Sequence, residues 1–272
     1  YLQGPPTQYY WGMYDQYIDN PGFGKLNWLA RFGLRILVKP MRRSDWQAAQ
    51  RPDTLLANSH YVADEIKRYY GRPSQVLFPL AQVDQIKLAS QQVKAKDIRQ
   101  IRQELFKGGD FYVVAGRQVN WKRFDLAIQA CLETGDNLLV IGSGPERNSL
   151  VKLAGGSSQI KFLPKYDGVG EIVKYYRSAK GLIFPSLEPF GIVPVEALAS
   201  GLPVLAFRRG GSADIIRDGI NGLFFLEQTV DSLAEGIKRF NVAQFKKAQV
   251  VKSAERFSTD HFQKNIKQII EQ

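Results

Sequence analysis

In the stretch SLEPFGIVPVEALASGLPV, residues 186–204, Glu188 stands in a loop beside Phe190 and Gly191. Glu196 follows eight positions later in an apolar run that reads as a helix. That helix begins between Gly191 and Pro194, where proline is tolerated in the first turn. Its free backbone N–H groups make a seat for an anion, and glycine lets a phosphate come close. Upstream, GRQVNWK places Arg117 and Lys122 after the strand-like run DFYVVA. Two such cations suit a diphosphate, because guanidinium grips oxygens in pairs and ammonium adds a mobile point charge. Glu196, near the helix start, has the chemistry to accept two hydrogen bonds from vicinal ribose hydroxyls. Glu188 would reach past the phosphates toward whatever they carry. Each feature alone has a plainer reading: Glu196 as an acid favouring the helix dipole, Arg117 and Lys122 as a solvated loop. Together, at successive strand ends of one sheet, they favour a ligand.

The elements that must hold these residues are legible from about residue 110. DFYVVAGR, NLLVIGSG, QIKFLP, KGLIFPS, LPVLAF and NGLFF read as short strands. Between them RFDLAIQACLETG, ERNSLVKLAG, VGEIVKYYRSA, the helix ending at Gly201, and SADIIRDG read as helices, the first of them stopped by Gly135. This alternation implies right-handed crossovers and a parallel sheet covered on both faces. Ligands of such doubly wound α/β sheets gather at the carboxyl ends of the strands. Before this domain, TLLANS reads as a strand and YVADEIKRYYG as a helix. SQVLFPLAQVD reads as a strand running into an exit, and a helix over 92–107 leads into the domain. Near the C-terminus, DSLAEGIKRF and FSTDHFQKNIKQII read as amphipathic helices.

The composition, 44% hydrophobic and 23% charged over 272 residues, is that of an ordinary globular chain. Cys131, the single cysteine, falls on an apolar helix face and reads as a small core thiol. It fits a reducing, cytoplasmic setting. No apolar run approaches the ~20 residues of a membrane span. The chain opens on Tyr1 rather than Met, which suggests a fragment. Its net charge of +11 favours anionic partners, with nucleic acid, acidic lipid and phosphorylated substrate all open. Residues 25–43 concentrate that charge, with six basic residues and no acid. Trp28, Leu29, Phe32, Ile36 and Leu37 keep the spacing of an apolar helix face there. Such a helix suits either an anionic membrane surface or packing against its own domain. His60 and His261 lack neighbours at metal-ligand spacing. There is no nucleophile elbow and no phosphate loop of the Walker type. IGSGPE offers only Gly142 and Gly144, and AGRQVN lacks the three glycines of a dinucleotide fingerprint. Metal, nucleophile and hydride chemistry are therefore disfavoured.

On these residues the sequence resembles the retaining nucleotide-sugar glycosyltransferases of family four, the group 1 enzymes, bacterial mannosyltransferases among them. VVAGRQVNWKRFDLAIQA resembles the family's Gly-Arg…Lys segment, and EPFGIVPVE resembles its Glu-x7-Glu signature. GLPVLAFRRGGSADIIRDGINGLFF follows in the family's order, with Asp214 where Glu is usual. LLANSHYVADEIKRYYG resembles the end of the family's N-terminal domain. The resemblance implies an α/β fold of GT-B type, with a complete C-terminal doubly wound Rossmann-like domain and the tail of an N-terminal one. Residues 1–85 would then be the C-terminal part of the acceptor-side domain, and residues 86–255 the nucleotide-sugar-binding domain. Residues 256–272 would be a helix able to cross back to the first. It further implies that Gly116, Arg117 and Lys122 hold the donor pyrophosphate, Glu196 the ribose and Glu188 a donor-sugar hydroxyl. Backbone at Phe190, Gly191, Ile192 and Val193 would hold sugar and phosphate, while Lys165, Tyr166 and Asp167 flank the base. Arg117, Lys122 and Glu188 are the expected catalytic groups, in a cleft between the domains.

The implied reaction moves a hexose, with mannose from GDP-mannose the first choice, to a hydroxyl of a glycan or lipid-linked acceptor, without a metal or other cofactor. From the residues themselves a cytoplasmic location is expected, with the basic helix at 25–43 suggesting a peripheral place on the inner face of the cell membrane, and nucleic acid is not expected as a partner. Where related mannosyltransferases often carry His-Thr-Pro before an aromatic run, this chain has YLQGPPTQYYW, with Gln3 or Gly4 replacing the histidine. An N-terminally incomplete fragment that binds donor but transfers sugar poorly is expected. A sugar-nucleotide epimerase of the same architecture and a basic non-enzymatic binding module are the competing readings.

Overall fold

The computed structural model describes residues 1–6, 11–12, 14–19 and 27–271. Residues 7–10 of the opening segment and Lys25 of the basic stretch lie outside the described residues. The chain divides into two compact units, Tyr1–Pro79 and Leu80–Gln272. The division falls six residues before the boundary at 85 expected from sequence, and the terminal segment 256–272 is counted with the second unit.

In the first unit, α1 (Tyr14–Asp19) and α2 (Asn27–Ala49) precede β1 (Leu56–Ala57), α3 (His60–Tyr70) and β2 (Gln75–Val76). β1 and β2 pair in parallel, and Leu2 bridges to Ala57. The Ser59 side chain caps α3 by accepting from Val62 N at 3.1 Å, and Gly71, left-handed at φ 68°, ends it. Leu55, Ala57, Val62, Ile66 and Tyr70 make a small core beneath this βαβ unit. Gln3 gives its carbonyl to Asn58 Nδ2 at 2.7 Å, so backbone at this position is held in the sheet's extension.

The second unit opens with α4 (Val83–Gln92) and α5 (Ala95–Phe106). Six strands follow: β3 (Phe111–Ala115), β4 (Asn137–Ile141), β5 (Ile160–Leu163), β6 (Gly181–Phe184), β7 (Val204–Phe207) and β8 (Gly222–Phe225). They alternate with α6 (Phe124–Thr134), α7 (Arg147–Ala154), α8 (Gly168–Ser178), α9 (Ile192–Ser200) and α10 (Ser212–Ile215). α11 (Val230–Val242), α12 (Lys247–Ala254) and α13 (Thr259–Ile270) close the chain. All ladders are parallel and the spatial order is β5-β4-β3-β6-β7-β8.

The first strand of this unit is therefore central, and it is apolar throughout because both its faces are covered: Phe111–Ala115 are all buried. α6, α7 and α11 pack together on one face, over a core that includes Tyr112, Ile128, Leu205, Phe225 and Ile237. α4, α5, α8, α9 and α12 pack among themselves as a second helical layer. At the amino ends of the strands, Lys180 bonds Asp136 and Asn241, both at 2.6 Å, and the Tyr112 hydroxyl donates to Asn241 at 2.8 Å. This closed polar network ties the starts of β3, β4 and β6 together. The opposite, carboxyl ends are left to loops. Chain order reverses between β3 and β6, and in such sheets the crevice outside that switch point is where ligands sit.

Candidate functional site

Both sides of the switch point carry residues singled out by sequence. β3 ends at Ala115, and Gly116 follows with φ 136°, a conformation that favours glycine. A Cβ there would lie 3.6 Å from Lys122 Nζ, so the Lys122 ammonium lies folded back over Gly116. The turn that returns Lys122 to this place is a single 3-10 turn, Asn120–Lys122, closed by left-handed Arg123. It is held from below by Gln118, fully buried, whose Nε2 donates to Gly142 O at 2.7 Å. Gly142 and Gly144, weak signals in sequence, have a packing reason. A Cβ on Gly142 would stand 2.1 Å from Gly116 O, and one on Gly144 2.3 Å from Gln118 O. Only glycine lets the loop after β4 press against the loop after β3.

On the other side, β6 leads into Pro185–Gly191. Lys122 Nζ lies 2.6 Å from Glu188 Oε1, and Ser186 Oγ donates to the same oxygen at 2.8 Å. Both partners of the ion pair are largely shielded, at 16% and 17% side-chain exposure, so water screens them little. The two loops thus meet through the acid and the cation that the sequence singles out. Arg117, the other expected cation, is exposed. Among the described residues its side chain has no hydrogen-bond or ion-pair partner.

Glu188 is also fixed through its backbone. Gly211 N donates to Glu188 O at 2.9 Å, and a Cβ on Gly210 or Gly211 would fall 2.4 Å from Glu188 O or 2.2 Å from Phe190 Cα. The turn after β7 therefore clamps the backbone that leads into α9. Ser186, Gly210 and Gly211 were missed by the sequence reading as site residues. The paired glycine in FRRGGS was the available signal, whereas nothing in the type of Ser186 distinguishes it. α9 starts at Ile192, preceded by Gly191 at φ 112°. Phe190 turns its ring inward against Phe257, at 5.4 Å between centroids. The residue is 4% exposed, so its ring is packed inside the unit. N–H groups of a first helical turn have no intrahelical acceptor, and Ile192 and Val193 lie in that turn of α9.

Glu196 sits one turn into α9 and is mostly buried, which pushes its carboxyl pKa up to about 7. Its charge raises the phenol pKa of Tyr166 and of Tyr176, although burial is the larger cause in both, so the two rings lie near it. The loop 163–168 thereby brings Tyr166 to Glu196. Its other expected members, Lys165 and Asp167, are exposed, and Asp167 engages only through its backbone N–H, which donates to Glu171. Asp214, on α10, gives its carbonyl oxygen to the Arg256 guanidinium. His60 and His261 lie in the first turns of α3 and α13, and Cys131 is fully buried with its thiol pKa pushed up by desolvation.

A six-stranded parallel sheet in this order, covered by helices, is a Rossmann-like α/β fold that matches GT-B glycosyltransferase structures. Residues 96–257 match the family model for Glycosyl transferases group 1. The chain belongs to that family. It is 30% identical over 219 residues to a D-inositol 3-phosphate glycosyltransferase of Actinosynnema mirum, covering 72% of this chain and 51% of that protein. Over 106 residues it is 38% identical to an uncharacterized glycosyltransferase of Methanocaldococcus jannaschii, covering 38% of this chain and 27% of that protein. Among solved structures, Anabaena HepE in complex with UDP superposes with a TM-score of 0.71 at 23% identity, over 85% of this chain and 67% of that one. The chain spans about half or less of the length of these curated relatives.

Proposed function

We propose that this chain is the donor-binding part of a retaining glycosyltransferase that moves a hexose from a nucleoside-diphosphate sugar to a hydroxyl of a glycan or lipid-linked acceptor. The observation that carries this reading is the 2.6 Å contact between Lys122 and Glu188 across the switch point, beside the start of α9. In the free protein the two groups satisfy each other. An arriving diphosphate competes for the Lys122 ammonium, with Arg117 and the Ile192 and Val193 N–H groups as its other partners. Glu188, released, accepts from a hydroxyl of the donor sugar, while Glu196 accepts from the ribose and Tyr166 lies against the base.

As the glycosidic bond breaks, negative charge gathers on the leaving diphosphate. Donors fixed where that charge develops lower the barrier without reorganising. This chemistry asks for no metal. Retention of anomeric configuration and the hexose rest on the family resemblance, and mannose is the first sugar to test. In the full-length protein, Glu188→Ala and Arg117→Ala are each expected to cut turnover at least tenfold, and a chelator to leave it unchanged. Near-normal rates in both variants would refute the assignment. Donor incubated alone should remain unisomerised, since formation of an epimeric sugar nucleotide would move the assignment to an epimerase.

A further inference from the structure

We propose that α2 is a docking surface for an anionic lipid bilayer. Val38, 6% exposed, is the buried residue of the helix and marks its inner face. On that side Asp45, the only acid in the helix, accepts from Trp11 Nε1 at 2.6 Å and from the Tyr70 hydroxyl at 2.8 Å. Arg31 Nε is spent there as well, on Ile18 O at 2.8 Å. At 100° per residue the outer arc carries Trp28, Phe32 and Ile36, which are 67%, 60% and 56% exposed. Lys39 and Arg43 share this arc and Arg35 flanks it, all three exposed. The apolar spacing legible in the sequence therefore faces outward in the described unit rather than into its core.

A patch of large apolar side chains in water is a binding surface in want of a partner. This one is mixed with cations and has its single acid turned away. A bilayer with acidic headgroups matches both components at once: the rings and aliphatic groups enter the acyl boundary while lysine and arginine stay among the phosphates. Among the described residues no helix is long and apolar enough to cross a membrane, so α2 would lie in the interface. This inference does not rest on the transferase reading, and its test involves no turnover.

The test is co-sedimentation of the full-length protein with vesicles of phosphatidylcholine alone or with a third of phosphatidylglycerol. Binding is expected to the anionic vesicles and to weaken as salt rises. A triple variant, Arg35→Glu, Lys39→Glu and Arg43→Glu, is expected to bind at least tenfold more weakly, since each basic side chain near such a surface adds to the attraction. Phe32→Ser should weaken it too. A variant with the same change of net charge at exposed positions of the other unit, Lys96→Glu, Arg99→Glu and Lys238→Glu, should bind as the native protein does. All variants are compared at matched thermal transitions. Absence of binding to either vesicle, as would follow if another segment covered the helix, overturns the proposal. So does equal loss in the two triple variants.

Discussion

Glu196 is held largely out of water on the first turns of α9. Burial raises its pKa from 4.5 to about 7, so between those values the folded protein keeps a proton that the unfolded chain has lost. Stability from this group is complete below 4.5 and falls as pH rises through about 7, where the carboxylate must ionise while buried. The penalty above that window is of order 3 kcal/mol. Glu196→Gln is therefore expected to melt at a higher temperature than the native protein at pH 8, with the gain fading by pH 5, and to bind donor more weakly. Melting curves at the two pH values check this, and a gain that does not change with pH would contradict it. Glu188 differs in kind, since its oxygen already has two partners, Lys122 and Ser186. The acids and cations drew notice in sequence only as a group, beside Phe-Gly and after a buried strand, since each alone has a plain structural use. Their mutual contact was not, because it depends on how the two loops fold toward each other.

At the scale of elements, the entry to α9 is set by the turn after β7. Gly211→Ala would bring a Cβ within 2.2 Å of Phe190 Cα and carbonyl oxygen. Either the turn or the Phe190 backbone must then move, and with it the N–H groups at the helix start. A loss of about 1–3 kcal/mol in stability is expected, together with weaker donor binding, from melting and titration of the variant. Native stability and affinity would show that the clamp does not position the helix.

The strands and helices of the second unit were readable because apolar runs alternate with amphipathic ones and glycines such as Gly135 and Gly201 end helices. α4 was not: its first two residues fell in the run read as a strand's exit and residues 85–91 were given no element, and Gln82 before it makes no side-chain cap that would announce a helix. α12 escaped for the same reason, with Lys246 offering no side-chain cap. For α2 the period was right, but the spacing alone does not say which neighbour covers an apolar face.

At the scale of the whole molecule, the loops that carry Lys122 and Glu188 both follow the carboxyl ends of strands, β3 and β6, that are neighbours in the sheet. The central position of β3, with chain order reversing beside it, puts the β3 and β6 loops side by side. The polar network of Lys180, Asp136, Asn241 and Tyr112 fixes the far ends of the same strands. Parallel strand order was implied by the alternation of elements, whereas the place of each strand in the sheet required the structure. The division of the chain at Pro79 likewise reflects packing rather than any run of glycine, proline or charge that marks a linker. The central claim is that the β3 and β6 loops and the start of α9 together cradle a diphosphate sugar. Calorimetric titration of the full-length protein with a panel of nucleoside-diphosphate sugars tests it most directly. One member of the panel should bind with a stoichiometry of one, and Arg117→Ala and Lys122→Ala should each weaken that binding at least tenfold. Binding by no member, or equal binding by both variants, would contradict it.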